Sequence, residues 1–282
     1  MNLTGTMIPF RAGDARFLMA EKFADDELRE FLAQIDRHLE LSVVLKDSPT
    51  TTAGLVTLRS SARSFFLKRT NNKGFRFTCR YLFRKARAFR AAKAALLLKG
   101  LGIATPEVVA VGEKRCGLIL KSGYLVTTTA DGICGMEKIF KTTTEPYQIL
   151  DPFLEYAGTV MAKLHNGHIV HGDLKLHNFY RIASTGEFGI WDLDSVRKFN
   201  NTPPRHLILE ELGLLTAFCS LHLQKNPAVL TEDTSCAVLA EKLLNAYLPH
   251  AHAYNDFLTK EQLIRCTQNH LDRILKKRSA GK

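Results

Sequence analysis

Residues 171–178 read His-Gly-Asp-Leu-Lys-Leu-His-Asn, and nineteen residues beyond Asp173 comes Asp192, in the string Ile190-Trp191-Asp192-Leu193-Asp194. These residue types at this spacing suit phosphoryl transfer. An aspartate beside an attacking hydroxyl orients it and accepts its proton, which makes Asp173 the candidate base. An asparagine five residues on and an aspartate on the next hairpin offer oxygen ligands, so Asn178 and Asp192 are the candidate Mg²⁺ ligands. Lys175, two residues after the base, can meet charge on the transferring group. Upstream, Lys68 falls on an expected third strand behind a glycine-bearing turn, Thr50 to Gly54, where a lysine for the α- and β-phosphates belongs. Any one of these features alone would be scaffold or solvated surface. In this order they define a nucleotide-dependent phosphotransfer site. His171 is read as pinning the loop and not as moving a proton, and His165, His168 and His177 share no metal-ligand spacing, so they are read as core or surface histidines.

Such a site needs two kinds of support. Residues 24–41 place Leu28, Phe31, Leu32, Ile35 and Leu39 at helical spacing with acids in the first turn, which predicts an amphipathic helix. Three short β-like runs follow, 42–46, 54–59 and 64–69, separated by turn chemistry such as Asp47-Ser48-Pro49. From Phe75 to Lys99 the composition turns to Ala, Leu, Arg and Lys without a breaker, predicting one or two helices ended by Gly100, Gly102 and Pro106. Residues 107–129 then alternate around the expected turns GEKR and KSG, giving two more strands. After Asp131-Gly132 helical patterns dominate, at 151–166, 206–224, 233–247 and 260–278, with short hairpins between the first two. The expected fold is α+β and two-lobed. An N-terminal helical extension spans 1–41, a small antiparallel-sheet N-lobe 42–129 and a mostly helical C-lobe 130–282, with 127–133 as the hinge.

With 282 residues, 45% of them hydrophobic and 24% charged, the chain is too apolar for a disordered polypeptide. No run approaches the roughly 18 consecutive apolar residues of a membrane span, and the charged N-terminus is unlike a signal peptide, so a cytoplasmic location is expected. The six cysteines form no Cys-x-x-Cys clip and are read as reduced packing thiols. The net charge of +11 is local. Thirteen Lys or Arg and no Asp or Glu lie between Arg59 and Lys99, leaving the rest of the chain at −2. Such a run points to a polyanionic partner. Arg76, Arg80, Arg84 and Arg87 would form one stripe on a helix, suited to anionic phosphates of a glycolipid or a membrane surface. Nucleic acid is set aside because no binding motif accompanies the charge.

The segments VVLKD (43–47), FFLKRTNNKG (65–74), LGIATPEVVAV (101–111), YLVTTTADG (124–132), LHNGHIVHGDLKLHNF (164–179) and WDLDSVRKF (191–199) resemble the bacterial lipopolysaccharide core kinases, the Kdo/heptose kinase family with a protein-kinase-like fold. The resemblance runs from about residue 42 to 220. It implies ATP-dependent phosphorylation of a sugar hydroxyl in the lipopolysaccharide inner core, by an enzyme peripheral on the cytoplasmic face of the inner membrane. It also implies Lys68 as the nucleotide-phosphate lysine, with Gly54, Thr128 and Ala130 completing the nucleotide-binding set, Asp173 as base, and Asn178 and Asp192 as Mg²⁺ ligands. Three departures stand out. The loop SPTTTAG has one glycine, so hydroxyls would donate to phosphates there. The helix after Lys68 offers no carboxylate for an ion pair. Only about ten residues separate Asp194 from the next helical pattern, too few for a peptide-docking segment, which favours a small or glycan hydroxyl. Two other readings remain: a phosphotransferase of the aminoglycoside or choline type, whose cationic acceptors would want an acidic pocket, and a nucleotide-binding scaffold without catalysis.

Overall fold

A computed structural model describes residues 7–58, 60–72, 74–129, 132–226, 234–252, 254 and 258–280. The chain divides into two compact units, residues 1–97 with 105–130 and residues 98–104 with 131–282.

The first unit is built on a seven-stranded antiparallel sheet: β1 (Met7–Ala12), β2 (Ala15–Ala20), β3 (Val43–Ser48), β4 (Thr51–Thr57), β5 (Ser64–Asn71), β6 (Val108–Cys116) and β7 (Ile119–Thr128). Their order across the sheet is β1-β2-β6-β7-β5-β4-β3. Five of these strands were expected. The hairpin β1–β2 was not, since residues 1–41 were read as purely helical. Its turn, Ala12-Gly13-Asp14-Ala15, uses Gly13 at φ +55°, and the alternation that buries Ala15, Phe17 and Met19 seats β2 beside β6. The turn between β6 and β7 also differs from expectation. It falls at Gly117-Leu118, with Gly117 at φ +57°, while GEKR and KSG lie within the strands.

The helix expected over 24–41 is two helices, α1 (Asp26–Ala33) and α2 (Ile35–Glu40), broken at Gln34. Asp25 caps α1 by accepting the Leu28 N–H at 2.8 Å. Leu28, Phe31, Leu32, Ile35 and Leu39 are all buried against Val56, Phe65, Leu67, Tyr124 and Val126 on one face of the sheet. Acids from the same segment neutralise part of the basic run. Arg63 pairs with Asp25 at 2.7 Å and Glu27 at 2.6 Å, and Arg69 pairs with Asp36 at 2.8 Å. Hydrogen bonds from Ser60, Ser61 and Arg63 hold the Glu27 carboxyl down at about 2.

The remaining cations do not form one helical stripe. The segment splits into α3 (Phe75–Tyr81) and α4 (Arg87–Gly100), and the break is held from β6. Glu113 accepts the Ala86 N–H at 2.8 Å at the start of α4. Arg115 donates to the carbonyls of Tyr81 at 3.2 Å, Arg84 at 2.5 Å and Leu118 at 2.8 Å. Ala86 packs over Gly123 and Thr70, on the sheet face opposite α1 and α2, and a Cβ on Gly123 would come within 2.7 Å of it. The C-terminus of α4 closes as expected. Gly102 takes φ +66°, its N–H reaches the Lys99 carbonyl, and Ile103 reaches back to Leu98, both hydrophobic partners being buried.

The second unit holds β8 (Ile133–Gly135), α5 (Met136–Thr142), α6 (Pro146–Asn166), β9 (Ile169–Val170), β10 (Phe179–Ile182), β11 (Phe188–Ile190), β12 (Arg197–Lys198), α7 (Arg205–Leu223), α8 (Cys236–Tyr247) and α9 (Lys260–Ala280). The four long helices match the sequence periodicity closely. α7 is long and apolar enough to cross a membrane by length and composition, yet two-thirds of it is buried within the protein, and Glu211 and His222 on it are buried too. That is the pattern of a core helix.

Candidate active site

The hairpin β10–β11 brings the two candidate metal ligands to one end. Phe179 pairs with Ile190, so Asn178 and Trp191 face each other across the ladder, and the Trp191 N–H donates to the Asn178 carbonyl at 3.0 Å. The Trp191 indole N–H donates to the His177 carbonyl at 2.7 Å, fixing the same turn from the side. Asp192 follows directly, in the left-handed region at φ +56° and ψ +57°. A non-glycine residue there costs on the order of 1 kcal/mol and persists only where its surroundings impose it.

The loop before β10 is pinned by Leu174, Leu176 and Phe179, all fully buried. Its polar residues converge on Asp173. Lys175 Nζ lies 3.0 and 2.9 Å from the two carboxylate oxygens, and Asn178 Nδ2 donates to the Asp173 carbonyl at 2.7 Å and to its carboxylate at 3.3 Å. The Asp173 side chain stays 37% exposed, open to an incoming hydroxyl. Because the Asn178 amide nitrogen is committed to Asp173, its carbonyl oxygen is the atom left for a cation. With the Asp192 carboxylate this gives hard oxygen donors, the set Mg²⁺ prefers.

Gly172 takes φ +80°, and a Cβ there would meet the Ser195 carbonyl at 3.0 Å. Its N–H donates to Glu211 Oε1, and Glu211 Oε2 lies 3.0 Å from His165 Nε2, whose Nδ1 meets the Tyr247 hydroxyl at 2.8 Å. Glu211 and His165 are both buried. A network running from α6, α7 and α8 therefore grips the backbone next to the candidate base. Neither Glu211 nor its link to His165 was foreseen, although an acid inside the apolar run of α7 was a visible signal. His171 is fully buried, and burial keeps its ring neutral against the pull of the Glu211, Asp173 and Asp192 carboxylates, consistent with a structural role.

In the first unit, cross-strand register sorts the candidate nucleotide residues. Lys68 lies opposite Ala53 and Leu125, whereas Gly54 lies opposite Leu67 and Thr128 opposite Phe65. Neighbours across a ladder share a face, so Gly54 and Thr128 stand on the face covered by α1 and α2, and Lys68 on the other. Gly54 is not in the turn but inside β4, where a Cβ would come within 2.1 Å of the Ser42 hydroxyl. The Thr128 hydroxyl accepts the Glu107 N–H at 3.1 Å. The face that carries Lys68 is instead lined by buried Ala53 and Thr127, which period-2 alternation could have identified. Ala130 lies outside the described residues.

A seven-stranded antiparallel sheet with a strand lysine, and a second unit whose 171–178 loop and αL aspartate meet on one hairpin, define a protein-kinase-like fold. Residues 44–217 match the Lipopolysaccharide kinase (Kdo/WaaP) family, more than half of the chain, and the chain belongs to that family. No curated protein sequence matches it. Among solved structures it is similar to "WaaP in complex with acyl carrier protein", at 16% identity and a TM-score of 0.58 over 93% of this chain and 97% of that one.

Proposed function

We propose that the chain transfers the γ-phosphoryl group of ATP to a sugar hydroxyl of the lipopolysaccharide inner core, at the cytoplasmic face of the inner membrane. The observation that carries the reading is the Asp173 carboxylate, exposed to an acceptor and aligned by Lys175 and Asn178, within a chain of the lipopolysaccharide kinase family. Asp173 orients the acceptor hydroxyl and receives its proton, Lys175 meets charge on the transferring group, and Lys68 holds the nucleotide phosphates. Mg²⁺ held by Asn178 and Asp192 would supply charge neutralisation at those phosphates. Only residues 196–204 separate the turn after Asp192 from α7, which leaves no length for docking a peptide acceptor. Purified protein incubated with Mg·ATP and dephosphorylated core glycolipid is expected to return a glycolipid heavier by one phosphate. ATP turnover that never depends on the glycolipid would count against this acceptor.

The membrane component of the proposal rests on α3 and the break after it. Phe75 and Phe83 are 83% and 86% exposed, beside exposed Arg80, Arg84 and Lys85. Aromatic side chains among cations are the composition of an interfacial anchor, and each engaged cation contributes about 1 kcal/mol near an anionic bilayer. Vesicle co-sedimentation at low salt is expected to pellet the wild type with anionic lipid and not with neutral lipid. An Arg80/Arg84/Lys85→Gln variant is expected to lose roughly 10- to 100-fold in partitioning. Equal pelleting of both proteins would remove the membrane surface from the proposal.

A further inference from the structure

Apart from the catalytic carboxylates, the second unit holds a group of side chains that phosphoryl transfer does not use. Glu137 in the first turn of α5, His177 in the 3-10 turn of the catalytic loop and His222 near the end of α7 place one ligand atom each within 4.8 Å of one another. His177 Nε2 contacts Glu137 Oε2, and His222 Nε2 lies 3.8 Å from Glu137 Oε1. His222 is 1% exposed, and among the described residues neither of its ring nitrogens has a hydrogen-bond partner, nor does Nδ1 of His177. A buried imidazole with both nitrogens unpaired is costly, and its cost calls for a ligand. Phe218 closes the site, its ring 5.1 Å from that of His177 and stacked on that of His222 at 6.1 Å.

We infer that Glu137, His177 and His222 bind a Zn²⁺ ion that ties the catalytic turn to α5 and α7. Two imidazoles and a carboxylate are a borderline-soft donor set that suits zinc and disfavours Mg²⁺, which demands oxygen ligands. At metal–ligand bonds of about 2.1 Å the donors of a tetrahedral site stand about 3.4 Å apart, so the ion would draw this set together by roughly 1 Å, with water as the fourth ligand. Lys141, which now pairs with Glu137 Oε1, is 43% exposed and swings into solvent when the ion enters. His177 immediately precedes Asn178, so the ion is a positioning device for the turn that carries the candidate Mg²⁺ ligand.

The test uses the full chain without a histidine tag, stripped with chelator, titrated with Zn²⁺ against a chromophoric competitor and separately with Co²⁺. One Zn²⁺ per chain is expected, undisturbed by excess Mg²⁺, together with the intense visible absorption of tetrahedral Co²⁺. His222→Gln and Glu137→Gln, each shown folded by circular dichroism, should weaken Zn²⁺ by about 100-fold or more and abolish that absorption. Binding of equal strength in both variants would assign the metal to cysteines elsewhere, and that result or the absence of stoichiometric binding overturns the site. Neither readout depends on phosphoryl transfer, so the outcome is independent of the proposed enzymatic activity.

Discussion

Asp173→Asn is expected to lower glycolipid phosphorylation by about 10²- to 10⁴-fold, the usual contribution of a positioned base, while the Kd for Mg·ATP and the circular dichroism spectrum stay close to wild type. The geometry explains why the two effects separate. Asparagine keeps the size of the side chain and an oxygen for Lys175, which sits 2.9 Å from the carboxylate, and the bond from Asn178 to the Asp173 backbone carbonyl at 2.7 Å is untouched. What disappears is the group that can take a proton. A loss confined to kcat is therefore the expected signature. A variant with undiminished kcat would remove Asp173 from the chemistry, and one whose loss lay wholly in nucleotide affinity would make it a binding residue.

Glu211→Ala carries the second large effect. The substitution leaves the Gly172 N–H without its acceptor and His165, in the interior, with one ring nitrogen unpaired. Breaking a buried network of this kind costs about 3 kcal/mol, or a fall in Tm of roughly 10 °C for a unit of this size. Glu211 touches the backbone next to Asp173 and no reacting atom, so it is a positioning residue. At a temperature where the variant is still folded, kcat is expected to fall about 10-fold with little change in the KM for ATP. Glu211→Gln, which keeps an acceptor for Gly172, should recover most of that loss. Unchanged thermal stability, or an alanine variant with wild-type kcat, would show that the network does not hold the loop.

The contrast between these two residues shows which parts of the site could be read in one dimension. Asp173, Lys175 and Asn178 act on one another across two to five residues, so their chemistry is written in a contiguous string. The long helices of the second unit were legible for a related reason, since a 3.6-residue period is a local property. Glu211 is 39 residues from Gly172 and Glu137 is 40 from His177, and no local pattern joins such pairs. The split of 75–99 into α3 and α4 was hidden in the same way. Nothing in that stretch breaks a helix, and the residues that impose the break, Glu113 and Arg115, lie on β6. Gly54 shows a different failure. It was expected in the turn and in the nucleotide-binding set, but the pairing register places it inside β4 with its missing Cβ against Ser42. The β1–β2 hairpin has a local signal, Gly13-Asp14 between alternating runs, which the stronger helical period of 24–41 behind it masks.

The pairing of Arg63 and Arg69 with Asp25, Glu27 and Asp36 makes the first unit electrically two-sided. The helices that carry those acids cover one face of its sheet, where they cancel cations, while Arg80, Arg84, Lys85, Arg90 and Lys93 stay exposed on α3, α4 and the segment joining them, and Ala86 at the head of α4 sits on the opposite face. In the field of a negatively charged plane such a body experiences a torque as well as an attraction. It turns its cationic side toward the plane before contact, so most encounters begin in one orientation. Raising the ionic strength shortens the reach of that torque to within a Debye length, about 8 Å at physiological salt.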